Sequence, residues 1–295
     1  MTSEGAVFDL DYRRYEGERT SRSKIRWAIV RDGVRKVLGL RRKARRKIMP
    51  WGLIALAVIP AIAFVGFRVL TEGLGADELI DELIPGHADY FGFTFQLTFL
   101  FVALSAPELL IPDRVGNVLT VYASRPLTLG DYLIARVGSL LMVVLAFTLI
   151  PQIVIYLGGA ILSGDIVGHV TGNLDLLWKI PAGALTVFAT QAGIAFIISA
   201  FARRRGVAAG IYIGFTIISS GVAFGLAETV NRWFALIDLQ AHAIVLIGKI
   251  FGDSSIGEGT VLVENSISPW MSLAAVLAIA ALAAGLLYRR YRRLM

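Results

Sequence analysis

The chain has 295 residues, of which 56% are hydrophobic and only 17% charged, with a mean hydropathy of +0.68 and a formal net charge of +7. A soluble domain of this size carries roughly a quarter charged residues, whereas this length accommodates several apolar spans of about 20 residues and leaves no room for a soluble enzyme domain beside them. There is no cysteine, and the three histidines (His87, His169, His242) lie far apart in sequence, so disulfides, thiolate chemistry and a His-rich metal centre are all disfavoured.

Residues 1–50 form a polar, basic segment with no early apolar stretch of the signal-peptide kind. Within it, residues 24–42 predict an amphipathic helix: Trp27, Val30, Val34, Val37 and Leu38 recur at spacings of three and four, with Lys24, Arg31, Arg35 and Arg42 opposite or beside them. A basic helix with such a stripe suits the surface of an anionic leaflet, which makes membrane lipid an expected partner.

Apolar runs then predict spans at about 51–70, 90–111, 133–161, 179–202, 207–228 and 269–288, followed by a short tail, 289–295. The expected fold is therefore an all-α integral membrane protein of six transmembrane helices spread over 51–288. Two further stretches predict external amphipathic helices. Residues 77–84, DELIDELI, set Leu79, Ile80, Leu83 and Ile84 against carboxylates. Residues 231–251 are apolar but carry Arg232, Asp238, His242 and Lys249, which make a full span expensive, a seventh or broken span being the alternative. The expectation there is a helix at the outer interface or dipping partly into it.

With the N-terminus inside, 25 of the 29 Lys and Arg fall on the cytoplasmic side, and only Arg68, Lys179, Arg232 and Lys249 fall outside. The first outer loop is acidic instead: Glu72, Asp77, Glu78, Asp81, Glu82 and Asp89. Lys/Arg bias is the stronger determinant of orientation, so both termini are expected in the cytoplasm. The basic residues flank apolar runs rather than form one patch, which argues against a nucleic-acid partner.

The connection between the second and third spans, PELLIPDRVGNVLTVYASRPLTLGDYLIAR (107–136), is the most informative segment. Val115, Val118, Leu119 and Tyr122 are spaced as one helical face, Ser124-Arg125-Pro126 ends that helix, and Thr128 with Asp131 forms a capping box that opens the next one. This string closely resembles the second-to-third loop of permease subunits of ABC exporters of the ABC-2 type, with its D-R-x-G segment, Y-x-S-R-P-L turn and following D-Y. The basic helix before the first span is similar to the elbow helix of that family. Ile111-Pro112 before Asp113 departs from the pattern, since members more often carry a polar residue there.

The resemblance implies an export permease in a bacterial inner membrane, multi-pass and without its own ATPase. No phosphate-binding G-x-x-x-x-G-K-[ST] loop occurs in the chain, which fits. It also implies that residues 112–131 dock on a separate ATP-binding subunit through Val115, Val118, Leu119, Tyr122, Arg125 and Pro126. Two copies of that subunit would bind ATP and magnesium, this chain would bind no cofactor, and it would pair with a second permease subunit, the same or related. Gln96, Gln152, Thr190 and Gln191 are the main polar groups within spans and are candidates for a translocation path, although helix-to-helix hydrogen bonding is the commoner use. An ion-coupled secondary transporter and a non-transport assembly protein are the alternatives. The first usually needs deep charges or inverted repeats and the second a convergent polar cluster; the sequence displays neither.

Overall fold

The computed structural model describes residues 20–40, 43–72, 85–123, 127–253 and 255–293. Helix α1 (Arg22–Val37) precedes α2 (Ile48–Glu72), α3 (His87–Val115), the short α4 (Val118–Ala123), and α5 (Leu129–Leu162). Then follow α6 (Ile166–Gly172), α7 (Leu176–Phe201), α8 (Arg205–Thr229), α9 (Leu239–Phe251), α10 (Val261–Glu264) and α11 (Pro269–Arg292). There is no strand among the described residues. Helices α2, α3, α5, α7, α8 and α11 are long and apolar enough to cross a membrane, matching the six predicted runs with a few added residues at most ends. DELIDELI (77–84) lies outside the described residues.

Large apolar side chains cover much of the outside of this bundle, among them Leu56, Ile59, Ile62, Ile153, Leu157, Phe215, Ile218, Leu277 and Leu282. Water would penalise such a surface and hydrocarbon does not. The interior is built on α3, which packs against α5, α7 and α8 and buries Phe91, Phe95, Phe101, Val102 and Leu109. Threonines on these helices turn inward without cost, because each returns its hydroxyl to its own backbone; Thr94 and Thr98 donate to Tyr90 O and Thr94 O at 2.9 and 2.8 Å.

At 34 residues α5 is about 50 Å long, against a hydrocarbon core of about 30 Å. Its first turns project at the basic end of the bundle, and α1 lies along them. The close approach is made at Gly33, where a Cβ would stand 2.3 Å from Ser139 Oγ. The inward residues of α1 are Ile29, Gly33 and Val37.

The stretch 231–251 does not lie flat. A 3-10 turn, Arg232–Ile237, packs on α8 and leads to Asp238, whose carboxylate accepts from Ser220 Oγ at 2.8 Å and from the amides of Gln240 and Ala241. Ser220 lies nine residues before the end of α8, about 13 Å along it. From there α9 runs outward between α7 and α11 to Phe251, whose carbonyl accepts from Lys179 Nζ at 3.3 Å. The segment thus folds back along the bundle, with α9 buried on one side and Trp233 and Ile237 left exposed, which fits the expected partial dip better than a helix lying flat. At 13 residues α9 spans about 20 Å, too short to cross. Asp238, a charge that argued against a span, caps the helix at depth instead.

Candidate functional site

The densest polar constellation lies at the basic end, where α1, α3, α4 and α5 meet. It begins with α3 continuing through Pro112 to Val115, which brings Asp113 to the wall of α5. Arg136, on the second turn of α5 and with none of its side chain exposed, donates Nη2 to Asp113 Oδ2. Both its Nη atoms also reach Asp32 Oδ2 on α1 at 3.2 Å. Lys36 Nζ closes the figure, at 2.9 Å from Asp113 Oδ1 and 2.9 Å from Asp32 Oδ2. Tyr132 OH donates to Asp113 Oδ2 at 3.1 Å, and the Arg136 guanidinium lies over the Tyr132 ring.

Two carboxylates therefore face two cations, and the buried charges are paired rather than stranded, as their burial demands. Desolvation by itself would raise the Asp32 carboxyl, but Lys36 and Arg136 outweigh it and hold its pKa below the usual value. A second pair sits nearby: Asp131 completes the predicted capping box, accepting from Thr128 N at 2.9 Å while Thr128 Oγ1 accepts from Asp131 N. Asp131 also receives Arg22 of α1 at 2.7 Å.

The connecting segment is shaped by one backbone event. Gly116 caps α3, and Asn117 takes φ +53°, so α4 starts in a new direction. This corrects the expected single face. Val115 stays on α3 and is 60% exposed, whereas Leu119 on α4 is buried and Val118 and Tyr122 are half-buried. Tyr122 packs with Leu127 against Ile25, Ile29 and Val30 of α1 and Ala135 of α5, and its ring lies 5.6 Å from that of Tyr132. Burial pushes the Tyr122 phenol up. Between α1 and α4 a cleft of about 320 Å³ remains, lined by Ala28, Ile29, Asp32, Val118 and Tyr122. Arg125 and Pro126 lie outside the described residues.

Comparison with protein-family models and with curated proteins finds no match to this chain. What the chain does must therefore be read from its own residues.

On α1, Val37 is buried, Val30, Val34 and Leu38 are half-buried, and Trp27 is 55% exposed. The four polar span residues do not converge. Gln96 is exposed on α3, Gln152 is buried on α5 and bonds His87, and Thr190 donates to Thr186 O on its own helix. Gln191 is buried with neither amide atom partnered. Glu108 accepts from Arg205. Arg114 donates to the carbonyls of Ser199, Ala200 and Ala202, closing the C-terminus of α7. Sequence reasoning missed Asp32, Lys36 and Asp113 as site residues, and took Arg136 for a topology charge. The one available signal was Asp113 and Arg136 flanking the same loop.

Proposed function

We propose that this chain is the membrane-spanning permease subunit of an ATP-driven exporter of the ABC-2 type. It lies in a bacterial cytoplasmic membrane with both termini inside, works with a second permease subunit, and couples through residues 112–131 to separate ATP-binding subunits. The observation that carries the reading is the Asp113–Arg136–Asp32–Lys36 knot. It ties α1, the end of α3 and the start of α5 into one body directly behind α4. A force on α4 is then delivered to two spans and a surface helix at once, which is what a coupling segment requires. The α1–α4 cleft beside Tyr122 supplies a surface for the ATP-binding partner to grip.

Pairing with a second permease is supported by α8. Gly206, Gly210, Gly214, Gly221 and Gly225 have no atom near their missing Cβ positions, although they fall along one side of the helix. In hydrocarbon, small residues spaced by four favour close approach of another helix. Beside α8, α3 exposes Phe93, Gln96 and Leu100. A glutamine turned outward at mid-span suits a permease–permease seam or a path better than lipid.

The test is the pair Tyr122→Ala with Arg125→Glu, co-expressed with a candidate Walker-motif ATPase subunit that co-purifies with the wild-type chain. Insertion into membranes should be unchanged, while ATPase binding or transport-stimulated hydrolysis is lost. Normal association and turnover in that variant would overturn the coupling assignment.

A further inference from the structure

Two of the three histidines of this chain converge at the end of the bundle opposite the Arg-rich one. His87 opens α3, His169 lies on the short α6, and Tyr156 of α5 stands between their rings, at 6.3 Å from His87 and 5.5 Å from His169. They line an open pocket of about 390 Å³, with Arg68 of α2 on the same wall. The site is held in shape from behind. Gln152 Nε2 donates to His87 O at 3.0 Å, which fixes the amide orientation, so its Oε1 must accept from His87 Nδ1 at 2.6 Å. Asn173 Nδ2 donates to His169 O at 2.8 Å, and Gly159 lets the His169 ring lie against α5, where a Cβ would approach its Cε1 to 3.2 Å.

Three features define the chemistry. Among the described residues no carboxylate lines the pocket and no group of three or more metal-ligating side chains occurs, so that part of the wall offers a cation no acidic ligand. The first residues of α3 and α7, His87 and Leu176, both lie on its wall, so two helix N-termini face it, each with a carboxylate of its own (Asp89 and Asp175) that offsets part of its positive potential. The Tyr156 hydroxyl, on a residue more than nine-tenths buried, has no hydrogen-bond partner among the described residues, and a buried hydroxyl normally has one.

We propose that this pocket binds an oxyanion, a phosphate or a phosphate-like group, between Arg68, His87, His169 and Tyr156. The proposal does not depend on the exporter reading. Because Nδ1–H of His87 is committed to Gln152, its Nε2 is the proton-accepting atom of the neutral ring, and an anion there draws a proton onto it. The groups that bear on that proton are Arg68 from α2, Tyr156 from α5, His169 from α6, and Asp89 on the same helix, which accepts from Gly86 N. The anion is either free in solution or the headgroup of a lipid in the adjoining leaflet.

The test uses the full chain purified in a maltoside detergent, titrated with inorganic phosphate and separately with a short-chain phosphatidylglycerol, following its melting temperature. A saturable rise is expected, about tenfold weaker in the double variant His87→Gln, His169→Gln. A rise with phosphate identifies a soluble anion, and one with the lipid alone identifies a headgroup. A variant that is merely less stable would melt earlier yet keep the ligand response. An undiminished response in the double variant, no response to either ligand, or a saturable response to zinc alone would each overturn the proposal.

Discussion

Arg136 and Asp113 are 23 residues apart in sequence and meet behind the connecting segment, the guanidinium with no exposed side-chain surface and the carboxylate almost none. Removing Arg136 takes from Asp113 one of its two cations and leaves Lys36 Nζ at 2.9 Å, so the cost stays below the roughly 3–5 kcal/mol of a fully stranded buried charge. Arg136→Met alone should therefore lower the thermal midpoint, and Asp113→Leu added to it should restore much of the loss. Equal or additive losses in the two single variants and the double would show that the pair is not the unit of stability.

Asp32 offers a pH signature. Its folded pKa lies below the ordinary 3.8 because Lys36 and Arg136 outweigh desolvation. A carboxylate lowered in this way contributes stability that is complete above the unfolded pKa and is lost as pH falls through the folded one. Wild-type protein and Asp32→Asn should thus keep a constant gap in midpoint from pH 8 to about 5, and the gap should shrink below about pH 4. The side chain is 46% exposed, so screening keeps the gap to about 1 kcal/mol or less.

Gly33 sets the distance between α1 and α5. A methyl group there would collide with Ser139 Oγ and Cβ, at 2.3 and 2.6 Å. Gly33→Ala should destabilise the α1 contact by about 1–3 kcal/mol, as overpacking does, and expose the Arg22–Val37 helix to trypsin in membranes. Adding Ser139→Gly should restore protection, since it removes both colliding atoms.

The open face of α8 can be read by crosslinking, because the chain has no native cysteine. Gly214→Cys should form an oxidative disulfide between two copies in native membranes, whereas Gly183→Cys should not. Gly183 faces Phe91, 3.0 Å from its virtual Cβ, inside the same chain. Monomeric Gly214→Cys under oxidation would remove the support for a homodimer along α8.

The capping carboxylate of α9 makes a further prediction. Asp238→Ala removes the acceptor for two amides of α9 and for Ser220 Oγ. The expected cost is about 1–2 kcal/mol from the lost cap, read as a lower thermal midpoint. Asp238→Asn should recover most of it, because an amide oxygen caps nearly as well.

Composition and hydropathy by themselves determined six apolar helices and their alternating order, because a hydrocarbon solvent leaves a backbone few ways to satisfy its own hydrogen bonds. The Thr128–Asp131 box was legible for the same local reason, since its partners are three residues apart. Only the tertiary structure decided the rest. Spacing put Val115 and Leu119 on one face, but the positive φ of Asn117 turned the chain between them. Charge pattern left Asp238 and His242 on a helix at the outer interface or dipping partly into it, and the packing of α9 between α7 and α11 decided for the dip, with Asp238 as its cap. The knot of Asp32, Lys36, Asp113 and Arg136 and the pocket of His87, Tyr156 and His169 join residues from separate helices. No local periodicity encodes such meetings; they follow from which helix faces pack together, and that is settled by the shapes of buried side chains over the whole bundle.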